Sequence, residues 1–286
     1  MKMNIKLAGR VLVTLIAVVA AGLVATEMWN HYMDDPWTRD ARVRADVVGV
    51  APDVSGLVSD VLVKDNQSVR KGDILFRIDR ERFALALTQA EATVEGRKAA
   101  LEQSHRDRER LEKLGTVVSQ QQTEQARAAE AQADANYREA LAQRDVARLN
   151  LQRSEIRASV NGTVSNLSLR PGDYVAAGKA ELALVDTDSL RIEGYFEETK
   201  LPRIHVGDKA VITLMGHSAA IKGHVESIAA GIEDRERTET GLLANINPTF
   251  TWVRLAQRVP IRIALDSVPS GTRLVAGATA TVSVIR

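Results

Sequence analysis

The chain has 286 residues, a length that accommodates one or two domains. Its formal net charge is +1 at pH 7 and it has no basic run, a balance that argues against nucleic acid as a partner. It contains no Cys, which excludes disulfides, thiolate metal sites, a cysteine nucleophile and a lipidated N-terminal Cys.

Lys2, Lys6 and Arg10 precede an uncharged apolar run from Val11 to Thr26, and Glu27, Asp34 and Asp35 follow it. This run is short of the roughly 20 residues that span a bilayer. Leu7 to Gly9, a snorkelling Arg10 and Met28-Trp29 extend it to spanning length. The expectation is a cytoplasmic tail over 1–10 and a transmembrane anchor over 11–29, carried by Val11, Leu15, Val19 and Leu23. Basic residues before the run and acidic residues after it place the N-terminus in the cytoplasm, with Trp29, Tyr32 and Trp37 at the outer interface. A cleaved signal peptide is the rival reading; Ala20-Ala21-Gly22 is a poor cleavage site, which favours retention. Either way the bulk of the chain is exported.

Residues 40–50 read as a strand that leads into a first β-rich stretch, 54–79 (VSGLVSDVLVKDNQSVRKGDILFRID). Short apolar alternations there are broken by Gly and Asn/Asp turns. Periodicity then switches. From Arg80 to Arg153 there is no Pro, and Ala, Glu, Gln and Arg dominate. Leu87, Ala90, Val94, Leu101, Leu111 and Leu114 recur at three- and four-residue steps, and so do Ala126, Ala129, Ala133, Ala140 and Ala147. The break at Gly115-Thr116-Val117-Val118 divides the stretch. Gly115 suits the left-handed residue past a helix end, and Ser119 with Gln122 reads as a capping box. Glu102 with Arg106, and Glu109 with Lys113, supply i,i+4 pairs. The pattern predicts a long antiparallel coiled-coil hairpin with an Ala-rich seam, each arm about 50 Å long. Two ordinary helices of a bundle are the alternative, and no further helical segment is available to complete one.

After the hairpin, residues 160–186 (VNGTVSNLSLRPGDYVAAGKAELALVD) repeat the first β-stretch. Val54, Gly56, Val58, Ser59, Lys64, Val69 and Gly72 superimpose on Val160, Gly162, Val164, Ser165, Arg170, Val175 and Gly178. One inserted residue then brings Leu75, Ile78 and Asp79 onto Leu182, Val185 and Asp186. One copy cannot bury its apolar face alone, whereas two facing copies can. The hairpin is thus an insertion between two halves of one β-sandwich. Beyond Asp186, alternation at Leu190, Ile192 and Phe196, at Ile261, Ile263 and Leu265, and at Ala280, Val282 and Val284 predicts a small barrel. Residues 233–250 read as a long loop, and Asn66 and Asn161, each in a sequon, read as turn residues.

A split repeat around a helical hairpin resembles the divided biotinyl/lipoyl domain of periplasmic adaptors, the HlyD-like membrane fusion proteins. The predicted fold is mainly β with an α-helical coiled-coil hairpin. It comprises an N-terminal transmembrane helix, a lipoyl-like sandwich (51–79 plus 154–186), the hairpin (80–153) and a C-terminal β-barrel (40–50 plus 187–286). WTRDARVRADVVGVAPDVSGLV (37–58), EETKL (197–201) and WVRLAQRVPIRIALD (252–266) resemble adaptors paired with drug and aromatic-acid exporters, above all that of the p-hydroxybenzoic acid efflux pump. The chain stops at Arg286 without the fourth domain usual in adaptors of resistance-nodulation-division pumps, and the hairpin is short for type I secretion. Both points set those branches aside.

The resemblance implies an inner-membrane transporter, an outer-membrane channel of the TolC type and a hexameric homo-oligomer. It also implies localisation as a single-pass inner-membrane protein with its bulk in the periplasm. In many adaptors the hairpin tip carries an Arg, a Leu four residues on and a Ser seven after that. Here Arg110 and Leu114 keep the first spacing and Ser119 follows after five, with Gly115 and Val117 between. A local reading has Arg110 solvated, Leu114 closing the seam and Ser119 capping a helix.

Enzymatic chemistry has no foothold. The junction Arg77-Ile78-Asp79-Arg80-Glu81 lacks the carrier lysine that biotin or lipoate would need. His217 and His224 have no ligand spacing, so neither a cofactor nor a metal is expected. The acidic pairs Glu197-Glu198 and Glu233-Asp234 could suggest acid–base chemistry, but adjacent strand residues point to opposite faces, so Glu197 and Glu198 would not converge. Two function classes remain: an efflux adaptor, for aromatic acids or for a drug-exporting major facilitator pump, and an envelope scaffold that self-associates through its hairpin.

Overall fold

In the computed structural model, which describes residues 5–29, 35–217, 219–232, 256–269 and 271–285, the elements follow the periodicities closely. In chain order they are α1 (Ile5–Trp29), β1 (Trp37–Arg44), β2 (Val47–Val50), β3 (Gly56–Val61), β4 (Ser68–Val69), β5 (Ile74–Ile78), α2 (Arg80–Lys113) and α3 (Gln120–Arg153). Then come β6 (Glu155–Arg157), β7 (Gly162–Ser165), β8 (Tyr174–Val175), β9 (Leu182–Asp186), β10 (Arg191–Glu197), β11 (Lys209–Leu214), β12 (Ala220–Ile228), β13 (Arg258–Ser267) and β14 (Thr279–Ile285). The chain forms two compact units, Met1–Asp46 with Ser189–Arg286, and Val47–Asp188.

In the first unit, α1 has 25 residues, about 37 Å at about 1.5 Å per residue. Its stretch Leu12–Trp29 has a mean hydropathy of 2.0 and is nowhere buried against protein. The hydroxyls of Thr14 and Thr26 donate to the carbonyls of Arg10 and Leu23, so the helix satisfies its own polar side chains. The strands described in this unit form a closed antiparallel barrel in the order β1-β10-β13-β12-β11-β14. A barrel this narrow is filled by its own side chains. Ile192, Phe196, Ile212, Ile221, Ile261 and Ile263 are fully buried inside it. The three expected alternations are β10, β13 and β14, and β1, β11 and β12 complete the ring. The loop expected over 233–250 lies outside the described residues.

One boundary differs from expectation. Residues 40–50 do not all belong to the barrel: β1 pairs with β10 and β14, whereas β2 pairs with β9 in the second unit. A continuous apolar alternation hides this, because a strand leaving one sheet for another keeps the same period.

The β-part of the second unit consists of two four-stranded sheets, β2-β9-β7-β4 and β6-β5-β3-β8. The repeat governs its pairing. Gly56 on β3 faces Val175 on β8, and the equivalent Gly162 on β7 faces Val69 on β4. The hydrogen bonds obey the same exchange. Val58 N–H donates to Asp173 O (2.8 Å) and Val164 N–H to Gln67 O (2.9 Å); Gly172 N–H donates to Val58 O (2.8 Å) and Asn66 N–H to Val164 O (2.9 Å). Asn66 and Gly172 occupy matching left-handed turn positions at φ 61° and 96°. A Cβ on Gly56 would meet Ile78 Cγ2 at 2.6 Å, and one on Gly162 would meet the carbonyl of Val185, the repeat-mate of Ile78, at 2.4 Å. In each half, therefore, the first strand passes the last strand of the same half with no room for a side chain. Val58, Leu75, Phe76, Ile78, Val164, Val175 and Leu184 form the shared core.

The helices interrupt this domain between β5 and β6. Asp79 caps α2, its carboxylate accepting from Arg82 N–H, and Ile78 N–H donates to Ser154 O at 2.9 Å, so chain entry and exit are adjacent. α2 and α3 run antiparallel, joined by ion pairs from Glu91 to Arg148 (3.8 Å) and from Glu112 to Arg127 (3.1 Å).

Candidate functional site

The turn between α2 and α3 is where the sequence-predicted contact residues gather. Gly115–Val117 form one 3-10 turn, and Gly115 has the left-handed φ of 54° that its position requires. Ser119 caps α3 in a complete capping box: its hydroxyl accepts from Gln122 N–H (3.3 Å) while Gln122 Oε1 accepts from Ser119 N–H (3.2 Å). Leu114 remains half exposed rather than closing a seam, and Val117 is 85 % exposed. Arg110 extends into solvent, and among the described residues it makes a long ion pair to Asp107 (3.7 Å). The turn therefore presents two apolar side chains and one guanidinium outward.

Below the turn, charges tie the helices together. Arg108 pairs with Glu112 on its own helix (2.8 Å) and with Glu130 on α3; His105 Nδ1 lies 2.7 Å from Glu130, and Arg127 reaches back to Glu112. Hydrogen bonds from Arg127 and then Arg108 hold the Glu112 carboxyl below its ordinary value. Those from His105 and then Arg108 do the same for Glu130. The expected seam is corrected here. Ala129 faces solvent and Glu130, one position on, takes the inward place, because the register that joins Arg108 to Glu130 is set between helices and not along one. Glu102–Arg106 and Glu109–Lys113 pair as expected, each at 3.9 Å.

Elsewhere, α1 carries Val11, and the side chains of Leu15, Val19 and Leu23 are exposed on it. His224 is engaged by Asp266 (2.6 Å) and His217 sits in a turn. Glu197 ends β10 and Glu198 opens a 3-10 turn, so the alternation argument that separated them does not apply, although both are exposed.

Two domain families match. Residues 46–187 match the "RND MFP, barrel-sandwich hybrid domain", and residues 189–285 match the "AAEA-like beta-barrel domain". The chain belongs to the membrane fusion protein family. Proteins of this family are adaptors in efflux transport and not enzymes. The match over 46–187 is to a domain described for resistance-nodulation-division adaptors, the branch that chain length had set aside. Solved structures share the adaptor fold. The membrane fusion protein Spr0693 from Streptococcus pneumoniae is similar at 17% identity and a TM-score of 0.65, over 87% of this chain and 98% of that one. MacA from Actinobacillus actinomycetemcomitans is similar at 19% identity and 0.57, over 88% and 79%, and ZneB from Cupriavidus metallidurans at 17% and 0.53, over 88% and 99%.

Sequence reasoning missed two features of this adaptor. The cross-helix cluster at Arg108, Glu112 and Glu130 had a visible half, the i,i+4 step from Arg108 to Glu112. The barrel also carries a buried lysine, Lys200, against Trp37, and nothing in the sequence marks Lys200 as buried.

Proposed function

We propose that this adaptor is the periplasmic link of a tripartite efflux pump that exports aromatic carboxylic acids. α1 anchors it once in the inner membrane, where it engages an inner-membrane transporter. The two long helices pack as a coiled-coil hairpin, and the protein assembles as a hexameric ring whose hairpin tips meet an outer-membrane channel of the TolC type. Its mechanism is assembly and sealing, without chemistry. The observation that carries this reading is the turn at 114–119. Leu114 and Val117 lie exposed at the end of a helix pair about 50 Å long, where no other part of the unit covers them. Apolar side chains held outward on a polar, well-capped turn are the signature of an interface anchor.

In this arrangement Leu114 and Val117 insert into the channel, Arg110 supplies a charged contact beside them, Gly115 permits the tight turn, and Ser119 fixes the start of α3. The test combines Arg110→Asp with Leu114→Ser. Exposed substitutions of this kind leave folding and membrane targeting intact, whereas interface anchors cost over about 1 kcal/mol each. Export is therefore abolished in the double variant, and a crosslinker placed at Val117 captures the channel in the parent protein only. Unimpaired efflux with unchanged crosslinking would sink the docking assignment. The anchor is tested separately by fractionation and mass spectrometry: the protein sediments with inner membranes and keeps its N-terminal segment, and a mature N-terminus near Gly22 would reject it.

A further inference from the structure

The three stretches that carry the adaptor resemblance, 37–58, 197–201 and 252–266, each contribute residues to one place on the barrel. Trp37 and Arg39 from the first, Lys200 from the second and Arg258 from the third line one cleft of about 450 Å³ on the barrel. We propose that this cleft binds a small organic monocarboxylate with a flat apolar body, so that the adaptor itself contacts cargo of that class. This deepens the proposed function and rests on it for the choice of probe.

Lys200 carries the argument. It is only 7% exposed, yet among the described residues its ammonium has one hydrogen bond, a long one of 3.3 Å to the carbonyl of Trp37. Among the described residues no carboxylate lies within ion-pair distance of it. The other contact is the Trp37 ring, whose centroid is 5.2 Å from Nζ. A buried ammonium without an anionic partner is costly, and buried charges are normally paired. Two of its three donors remain for an incoming acceptor. The neighbouring groups are already committed. Arg258 is paired with Asp40, and the Thr38 hydroxyl donates to Tyr195 O (2.8 Å) while accepting from Asp40 N–H (3.1 Å). These bonds fix a bulge in β1, where the pairing with β14 shifts between Thr38 and Ala41. Bulges of this kind re-aim side chains beside sites. Arg39 stands over the Trp37 ring with Cζ 5.3 Å from its centroid, a planar cation beside a planar arene. Arg39, Lys200 and Arg258 against Asp40 and Glu197 leave the cleft with one net positive charge, which a single carboxylate neutralises. The exposed planar guanidinium of Arg39 supplies the surface for a flat apolar body.

The test uses the detergent-solubilised full chain and calorimetric titration with benzoate, its neutral isostere benzamide, and acetate. Benzoate binds saturably, while benzamide and acetate each bind at least tenfold more weakly. Lys200→Gln weakens benzoate at least tenfold, and Arg39→Gln, an exposed change that leaves the barrel intact, weakens it severalfold. Thermal melting identifies any variant that fails to fold; if Lys200→Gln does so, Arg39→Gln and the benzamide comparison decide. No saturable binding of benzoate, equal binding of benzamide, or unchanged binding in both variants would overturn the site; acetate equal to benzoate would overturn the flat-body assignment. An efflux assay in cells separates the two readings. Export of aromatic acids without benzoate binding to the adaptor defeats this inference alone, and binding without export defeats the proposed cargo alone.

Discussion

Within Val47–Asp188, the β-part gathers fifteen buried hydrophobic residues into one cluster, whereas the two 34-residue helices bury a single residue, Ala140. Both segments come from the same chain and both follow their sequence periodicities. They differ in what holds them. The β-halves bury their apolar faces on each other, and the area removed from water stabilises them at about 25 cal/mol per Å². A two-helix arm has only one contact face and leaves most of its surface wet. Its stability comes from helix propensity, caps and charge pairs, terms worth a few tenths to about 1 kcal/mol apiece. The β-part is complete as it stands; the helices are built to present surface.

That contrast is open to direct attack, and the strongest blow falls on the β-part. Leu75→Ala removes a fully buried side chain and should cost about 2–5 kcal/mol in denaturant melts; Leu101→Ala on the half-buried face of α2 should cost roughly 1 kcal/mol. Equal losses would erase the distinction. The two-fold exchange is sharpened by the paired glycines. Gly162→Ala forces a Cβ against a backbone carbonyl and should cost about 1–3 kcal/mol, more than Gly56→Ala, where the obstacle is the end of the Ile78 side chain. The reverse order would show that the halves relax differently from their geometry.

The helices should instead respond to pH. Glu112 and Glu130 have carboxyl values held below the ordinary 4.5, so the unfolded chain takes up their protons first as pH falls. Their contribution is fully present above pH 4.5 and is lost as pH drops through the depressed values. Helical circular dichroism should weaken with acid before the β-signal does, and Arg108→Gln should flatten that response; a helical signal indifferent to acid would remove the charge cluster from the account. A smaller effect is expected on the outer face. Glu102→Ala should change stability by about 0.2–0.5 kcal/mol, fading in high salt. The least effect should come from the largest deletion. Because Ile78 N–H already bonds Ser154 O, replacing residues 81–152 by a short Gly/Ser linker should leave cooperative unfolding of the β-part within about 1 kcal/mol. Loss of its β-sheet circular dichroism would mean that the halves depend on the helices.

The sequence by itself determined the local periods, and through them most of the architecture. Helix ends at Arg80, Lys113, Gln120 and Arg153 follow from propensity, from the Gly115 turn and from the Ser119–Gln122 box, all of which act within a few residues. The matching of Gly56 with Gly162 and of Val69 with Val175 announced that two halves face each other, since identical copies bury identical faces. What needed the tertiary structure were relations between segments far apart in the chain. The period of 2 in residues 40–50 is the same in either sheet, so only pairing partners could split β1 from β2. Ala129 and Glu130 are equally compatible with a helix; the antiparallel register chose Glu130 for the inner face because Arg108 and His105 lie opposite it. Lys200 reads as one more surface charge until β1 and the turn after β10 close the barrel wall around it. Its burial is a product of three-dimensional closure, which leaves no mark on the residues beside it in the sequence.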